Sequence, residues 1–325
     1  MSARDTEVTR VATAFTGLVD SGALELPLPG SGRTWERWRG LAAIARDDLS
    51  VARLAEAHCD ALAILAELGA APGPPGSRWG VWAAEPPEPI LRGALTDHGW
   101  RLAGTKPWCS GAHTCTHTLV TARVGEERML FAAQLGPGRS DPVEDTWPAV
   151  GMAGSDSGAV RFLDAPSDPV GGPGEYLTRP GFWHGAIGVA ACWYGGAVGV
   201  ADALLGPARK GRAHPHALAH LGAVDAALTA AAAGLREAAA EIDADPSDTA
   251  GTAQVRAVRA RAFVESACDE VLHRVGRATG AGPLGGNAAH SRRVADLTVY
   301  LRQSHAERDL AELGQLLADG AEAGW

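Results

Sequence analysis

Histidine, cysteine and carboxylate side chains recur at spacings that could place them on one face of an element. His113, Cys115 and His117 alternate along a predicted strand and would share a face. Successive side chains there lie about 6–7 Å apart, which is wider than tetrahedral zinc prefers. His216 and His220 have the i, i+4 spacing of a helical zinc pair, but no Glu follows the first as in HExxH and no third ligand is evident. We therefore predict no metal site, and we expect the histidine pair at the surface or beside a cofactor.

Two further groups are explained as structure rather than as chemistry. Glu56, His58 and Asp60 stand at every second position of a predicted helix, where such neighbours point apart, so we expect a solvated helix face. The segment GPLGGN at 282–287 has the glycines of a phosphate loop but lacks the Lys and Ser or Thr that would make it specific. Neither group predicts a functional site.

The hydrophobic pattern that must position any site begins with helices. It predicts one helix over Thr34 to Ala45 and a second that begins at Asp47, Asp48 or Ser50. The prolines of APGPPGS at 71–77 then end the helical part, because proline lacks an amide donor and fixes φ. We interpret this stretch as a domain boundary.

The remaining chain changes first to strands and then back to helices. Short alternating segments between about 78 and 170 predict a compact antiparallel barrel or sandwich. From Trp183 onward, Ala-rich segments predict four long helices of bundle type, at about 183–206, 214–243, 249–279 and 290–319. The fold class is therefore α+β. The predicted domains are a helical domain at 1–75, a central β domain at 76–170 and a helical bundle at 171–325.

Charge and composition exclude several classes of protein. A formal net charge of −9 over 325 residues leaves no basic surplus for phosphates, so no nucleic-acid partner is expected. No segment approaches the roughly 20 apolar residues of a membrane helix, and the charged N-terminus MSARDTEVTR lacks the apolar core of a signal peptide. We expect a cytoplasmic protein without a membrane partner. Five cysteines without a CxxC pair predict buried thiols rather than disulfides.

Six segments occur in an order that carries a family resemblance. They are WAAEPPE (82–88), GWRLAGTKPWCSGA (99–112), THTLVTARV (116–124), WPAVGMAGSDSGAVRF (147–162), ATGAG (278–282) and RRVADL (292–297). In this order they resemble the acyl-CoA dehydrogenase superfamily of FAD-dependent flavoproteins over nearly the whole chain. The most specific motifs are G-x-K-x-W followed by a small hydroxyl residue and Gly, and the later G-M-x-x-S-x-S-G turn. The resemblance implies a shortened N-terminal helical domain, a central antiparallel β-barrel domain carrying the flavin-ring site, and a C-terminal four-helix bundle for dimerisation.

The resemblance assigns Trp108 and Ser110 to the flavin ring. In relatives, the aromatic residue after the lysine packs against the isoalloxazine, and the hydroxyl two positions later bonds the ring near N5. Stacking on a flat aromatic adds contact area, and a donor near N5 stabilises the charge that develops on reduction. From the residues alone, Trp108 could instead be a barrel core residue and Ser110 a turn hydroxyl. Two hydroxyl contacts that relatives carry around the Glu-Pro of WAAEP are absent near Glu85.

The bundle of relatives binds the rest of the FAD of a partner subunit. The resemblance places Arg209 or Arg212 at the pyrophosphate and His220 where relatives have a Gln. The adenine-side motif aligns with Arg277 to Ala281, in which Gly280 keeps a close backbone approach possible. Because these segments and the ring-binding motif belong to different chains in relatives, the resemblance implies a homodimer or a dimer of dimers.

The family's catalytic base is missing from both of its usual positions. A dehydrogenase of this family removes the substrate α-proton with a carboxylate, since hydride leaves Cβ only in concert with that step. The two base positions align here with Ser304 and Val189. Glu307 lies one helical turn beyond Ser304 and would substitute only after a register shift. His305 is the better candidate for a different proton transfer, because imidazole titrates near neutrality.

Three functions remain open from the sequence. The first is an acyl-CoA dehydrogenase-like, FAD-dependent oxidoreductase with a relocated base or an atypical small-molecule substrate. The second is a flavin-dependent monooxygenase on the same fold, in which Ser304 and His305 supply hydrogen bonds; relatives of this type also lack the Glu. The third is a non-catalytic homologue that acts as a scaffold or partner subunit. The shortened N-terminal region and the missing hydroxyls predict weak binding of straight-chain acyl-CoAs.

Overall fold

The structure, a computed structural model, describes residues 3–324 of the chain. They fold into two compact units, and each unit is built from separate stretches of sequence. The first unit comprises residues up to 26, 53–149 and 153–182. The second comprises 27–52, 150–152 and 183 onward. The domain boundaries near residues 75 and 170 stay predictions.

The first unit contains a helix that the sequence pattern did not predict. Its helices are α1 (Ala3–Asp20), the greater part of α3 (Leu49–Glu67) and the short α4 (Glu175–Thr178). Phe15 of α1 is fully buried. Its ring meets that of His58 on α3 edge-on, with 6.0 Å between the ring centroids.

The solvated face expected at Glu56, His58 and Asp60 is wrong, because Glu56 and His58 are buried. Glu56 accepts a 2.7 Å hydrogen bond from Nη1 of Arg53. His58 Nδ1 lies 3.3 Å from the Trp79 backbone N–H that donates to it. Both polar side chains are thus satisfied inside the unit, a placement that the polar residue types do not reveal.

The strands of the first unit close into a small barrel. They are β1 (Trp79–Trp82), β2 (Leu91–Thr96), β3 (Gly99–Cys109), β4 (His117–Val124), β5 (Glu127–Gln134), β6 (Ser140–Val143) and β7 (Gly158–Pro169). Pairing runs in a ring from β4 through β5, β7, β3 and β2 back to β4, with β1 added to β4 and β6 to β7. The barrel is not purely antiparallel as predicted, because β1 and β2 both pair with β4 in parallel.

The barrel core is filled by inward-facing side chains from alternate strand positions. Its largest members include Trp82, Leu102, Phe131 and Phe162, all nearly fully buried. The prediction of buried cysteines is confirmed at all five positions, which are Cys59, Cys109, Cys115, Cys192 and Cys268.

The second unit is helical throughout. It contains α2 (Thr34–Asp47), most of α5 (Pro180–Arg209), α6 (Pro215–Ala244), α7 (Ala253–Thr279), α8 (Ala281–Gly286), α9 (Ala288–Tyr300) and α10 (Glu307–Ala318). Helix α8 covers most of the GPLGGN segment. The predicted fourth bundle helix is broken, because a 3-10 turn at Leu301–Gln303 is followed by an extended Ser304 and by Ala306 at a φ of 50°.

Glycines on α5 bring α2 to backbone contact within the second unit. A Cβ on Gly195 would lie 2.2 Å from the carbonyl oxygen of Ala42, and one on Gly199 would lie 2.5 Å from that of Arg46. The N-terminus of α2 is held from the far end of α6. There, Asp243 accepts hydrogen bonds from the Thr34 hydroxyl at 2.6 Å and the Thr34 backbone N–H at 3.0 Å.

Two helices, α5 and α6, are long and apolar enough to cross a membrane by length and composition, which differs from the expectation of no such segment. The apolar stretch of α5 is 72% buried within the fold, as in a core helix, whereas that of α6 is only 22% buried. Helix α6 therefore exposes an apolar face.

We predict that Gly195→Ala lowers the free energy of unfolding by about 1–3 kcal/mol, because the added methyl group forces α5 away from α2. The control is Gly314→Ala on α10, where a Cβ meets nothing within 4 Å. That change should be neutral or stabilise by up to about 1 kcal/mol, since alanine is the better helix former. Urea unfolding of the three proteins checks this, and a Gly195→Ala protein as stable as wild type would contradict the close packing.

Candidate functional site

Two loops of the first unit bind each other through their backbones at the end of β3. The Gly111 N–H donates to the Ser155 carbonyl at 2.8 Å, and the Ala112 N–H donates to the Asp156 carbonyl at 3.2 Å. The indole N–H of Trp82 donates to the Ser110 carbonyl at 3.0 Å from inside the barrel. The segments of the two most specific sequence motifs therefore form one fixed structure.

Trp108 presents its indole outside the barrel. Its φ of 58° is in the left-handed region, which non-glycine residues rarely adopt. Its side chain is 52% exposed, in contrast to the buried tryptophans of the core. Trp108 is thus not a barrel core residue, and its flat face is available for stacking.

Three buried serine hydroxyls lie next to one another in the two paired loops. Ser110 Oγ and Ser157 Oγ lie 2.8 Å apart, and Ser157 Oγ and Ser155 Oγ are also 2.8 Å apart. All three residues are more than nine-tenths buried. The sequence analysis identified Ser110 but not Ser155 or Ser157. The signal that could have indicated them was the S-x-S of the G-M-x-x-S-x-S-G motif.

An imidazole and two carboxylates lie on the other side of this turn. Asp156, at a φ of 48°, accepts from the His113 backbone N–H at 2.8 Å and pairs with His113 Nδ1 at 2.9 Å. His113 Nε2 lies 3.4 Å from Glu144. These side chains line a cavity of about 290 Å³ together with residues of α1. The expected strand carrying His113, Cys115 and His117 is wrong, because β4 begins only at His117.

A buried charge cluster surrounds Lys106 of β3. Lys106 Nζ donates to both the carbonyl and the hydroxyl of Thr121 at 2.8 Å. Glu85 lies 3.9 Å from Lys106 Nζ and 2.7 Å from Arg128 Nε. Burial lowers the pKa of Lys106 to about 8, and the opposing attraction of Glu85 only partly compensates.

The loop that precedes Ala153 is held by α9 within the second unit. The Met152 N–H donates to Asp296 at 2.5 Å. A Cβ on Gly151 would lie 2.2 Å from the Ala295 carbonyl oxygen, so only glycine fits there. This contact links the G-M motif to the RRVADL segment, and it accounts for the glycine in one and the aspartate in the other.

Basic side chains gather where α6 begins and α7 ends. The pKa of His220 is lowered by partial desolvation and by the nearby charges of Arg274, Arg277 and His273. His220 Nδ1 is buried and has no hydrogen-bond partner among the described residues. Gly280 follows α7 at a φ of 62° and Ala281 begins α8.

Arg212 lies in the exposed turn between α5 and α6 and is not one of the charges that act on His220. The cluster is a second candidate binding surface, suited to an anion. Its members Arg274 and His273 were missed by the sequence analysis.

The candidate proton-transfer residues lie in and after the break that follows α9. Ser304 is buried, and its hydroxyl donates to Glu265 of α7 at 2.5 Å. His305 is exposed and its Nδ1 pairs with Asp309 at 3.0 Å. Glu307 is exposed at the start of α10.

The structure thus brings one carboxylate, that of Glu265, to Ser304. This contact could not be predicted from the sequence, because the two residues are 39 positions apart. Among residues 3–324, no group of three or more His, Cys, Asp or Glu side chains could hold a metal ion.

Comparison with known proteins places the fold. No family model and no curated protein sequence matches the chain. Among solved structures, the dibenzothiophene monooxygenase TdsC from Paenibacillus sp. A11-2 is 19% identical, with a TM-score of 0.75 and 99% of this chain and 98% of that chain covered. KijD3, solved in complex with FMN and dTDP-3-amino-2,3,6-trideoxy-4-keto-3-methyl-D-glucose, is 18% identical, with a TM-score of 0.77 and 98% and 92% covered.

The HsaA monooxygenase from M. tuberculosis is 18% identical, with a TM-score of 0.72 and 99% and 97% of the two chains covered. At these identities the likeness shows the fold alone. The α+β fold class is confirmed, and the chain shares the fold of these three structures. Coverage of 92% or more of each neighbour gives no support to a shortened N-terminal region.

We predict that the stability of the protein rises between pH 8 and about 10.5 through Lys106. The folded-state pKa is lowered from 10.5, so in this interval the unfolded chain still holds a proton that the folded chain has released. Below pH 8 both states are protonated, and the penalty, of about 3 kcal/mol, is constant. Lys106→Met should remove this rise. Thermal unfolding of both proteins across the interval checks it, and parallel curves would contradict the buried charge.

Proposed function

We propose that this protein is a flavin-dependent monooxygenase that uses FMN and oxidises a small molecule. The observation that carries the proposal is the exposed Trp108 indole, held in a strained backbone conformation beside the buried Ser110 hydroxyl. An exposed aromatic face next to a hydrogen-bonding hydroxyl suits a flat heteroaromatic ring. The solved structures TdsC and HsaA are named monooxygenases, and TdsC and KijD3 were solved with FMN.

The residues present suit FMN better than the FAD expected from the resemblance. The Nδ1 of His220 is buried and has no hydrogen-bond partner among residues 3–324. With the neighbouring Arg274 and Arg277, it would provide hydrogen bonding and positive charge for the phosphate of a partner subunit's flavin. The Gln that holds the adenine side in relatives is replaced by Arg277. A cofactor that ends in a phosphate needs no adenine site.

FMN would supply the electrons that activate dioxygen, and the chain would bind, orient and handle protons. Trp108 would support the ring and Ser110 would bond its edge. Ser304 donates its only proton to Glu265 and accepts from the Ala306 N–H at 3.1 Å, so its hydroxyl is fixed in one direction. His305 has a carboxylate partner on Nδ1, which leaves Nε2 to take or give a proton in the manner of a His–Asp pair.

A second candidate function follows from Glu265. Its carboxylate lies 2.5 Å from the hydroxyl at the family's usual base position, so it offers a relocated base for an acyl-CoA dehydrogenase-type reaction. We rank this second, because the carboxylate is already bound by Ser304 and lies 3.5 Å from Arg302.

We further propose that the protein associates through α6. Small residues follow one exposed face of this helix at helical spacing, namely Ala219, Gly222, Ala226, Ala230, Ala233 and Ala240. Such a face lets a second helix approach closely, and a second copy of this chain is its proposed occupant. Ala230→Glu should then shift the mass measured by size exclusion with light scattering toward the monomer. Ala311→Glu, an equally exposed alanine on α10, should not.

Cofactor binding is tested by titration with FMN and with FAD. FMN should bind more tightly than FAD, and Trp108→Ala should weaken FMN binding by about 1–3 kcal/mol through lost stacking. Trp108→Phe keeps an aromatic face and should lose less. Equal FMN affinity in Trp108→Ala and wild type would contradict the ring site, and preference for FAD would contradict the choice of cofactor.

The reaction type is tested with chemically reduced FMN and oxygen. We expect substrate-dependent oxygen consumption with one of a panel of aromatic compounds that includes indole. Butyryl-, octanoyl- and palmitoyl-CoA should not bleach bound oxidised flavin without oxygen, because a positioned base contributes typically about 10² to 10⁴-fold and neither usual position has one. Bleaching that is lost in Glu265→Gln and kept in Glu307→Gln would favour the dehydrogenase instead.

A further inference from the structure

The cavity of about 290 Å³ in the first unit has an acidic wall. Four carboxylates line it together with one guanidinium, that of Arg4. These carboxylates belong to Asp5, Glu144, Asp145 and Asp156. The apolar side chains of Val8 and Val143 line the same cavity. An excess of negative charge beside apolar surface suits a small organic cation.

The side chain of Asp156 sets this cavity apart from an ordinary acidic surface. Asp156 is only 5% exposed. Both of its contacts with His113 use Oδ2, which accepts from the backbone N–H at 2.8 Å and lies 2.9 Å from Nδ1. The other oxygen, Oδ1, has no hydrogen-bond partner among residues 3–324. A buried carboxylate oxygen that lacks a donor costs free energy, and a ligand in the cavity can supply that donor.

We propose that this cavity binds a small compound that carries a primary ammonium group. The ammonium group donates to Oδ1 of Asp156, and its carbon chain lies against Val8 and Val143. The carboxylates of Glu144 and Asp145 are exposed, so they add an attraction that dissolved salt screens. The cavity lies within the first unit, and neither residue assigned to the flavin ring lines it. The inference therefore does not rest on the proposed function.

The contacts of Asp156 distinguish an ammonium group from other cations. A quaternary ammonium ion carries the charge but has no N–H to donate to Oδ1. A guanidinium binds a carboxylate best through both of its oxygens, and Oδ2 is already used by His113. A metal ion needs several ligands, and no group of three His, Cys, Asp or Glu side chains within residues 3–324 could hold one.

The test is calorimetric titration of the wild-type protein with 1,4-diaminobutane at low ionic strength. We expect one binding event per chain. The matched probes n-butylamine and butyltrimethylammonium then separate charge from hydrogen bonding, because only the first has N–H donors. Butyltrimethylammonium should bind at least about tenfold more weakly than n-butylamine.

Asp156→Asn tests the contact that carries the proposal. Asparagine keeps the shape of the side chain and is tolerated at the φ of 48° found here. The His113 backbone N–H holds the amide oxygen in the place of Oδ2, so the amide NH₂ replaces Oδ1. Affinity for 1,4-diaminobutane should fall at least about tenfold, because a donor replaces the acceptor. The matched control is Asp164→Asn, an exposed aspartate at a φ of 53° that does not line the cavity, and it should bind as wild type does.

Several outcomes would overturn the proposal. One is a wild-type protein that binds no 1,4-diaminobutane at about 5 mM. Others are equal affinity for the two matched probes and unchanged affinity in Asp156→Asn. Displacement of the diamine by about 1 mM CaCl₂, but not by NaCl of the same ionic strength, would assign the site to a metal ion instead. If Asp156→Asn does not fold, Val8→Trp decides, because the larger side chain on α1 fills the cavity, and undiminished binding in that protein overturns the proposal.

Discussion

The candidate site depends on the backbone pairing of two loops, 108–113 and 153–158. Neither loop is a strand or a helix along its whole length, so each must satisfy its buried amides and carbonyls through the other. Gly111 and Ala112 do so with the carbonyls of Ser155 and Asp156. Once this pairing forms, the direction of Trp108 and the position of the Ser110 hydroxyl are set together.

The same region contains both strained backbone and a buried charge. Trp108, Met152 and Asp156 all have positive φ, and Lys106 is a buried lysine with a lowered pKa. Strained backbone and desolvated charge persist only where the surrounding packing and hydrogen bonds hold them in place. The combination of strained backbone with a buried charge is the physical reason to place function there.

The fold was largely predictable, whereas only part of the site was. Strong periodicity and prolines located α2, α3 and most strands. The ordered motifs pointed to Trp108 and Ser110, whose roles at a flavin stay predictions. The parallel pairing of β1 with β4 could not be predicted, since alternation of residues does not encode strand direction. Glu265 was missed because its partner Ser304 is distant in sequence, and the burial of His58 was missed because polar residues carry no sign of an enclosing helix such as α1. The domain order and the roles of Arg277 and Gly280 stay predictions.

The interleaving of the two units has a consequence for how the chain reaches this state. Residues 27–52 belong to the second unit, yet their partners begin at residue 183, and the bond between Thr34 and Asp243 spans 209 positions. During synthesis α2 leaves the ribosome long before α5 and α6 exist. Until then, the face of α2 that becomes buried, including Trp38 and Leu41, is exposed to water or bound by a chaperone. The packing of α2 therefore depends on long-range contacts and is a late folding step, and the C-terminal half of the chain governs when this segment becomes protected from aggregation and proteolysis.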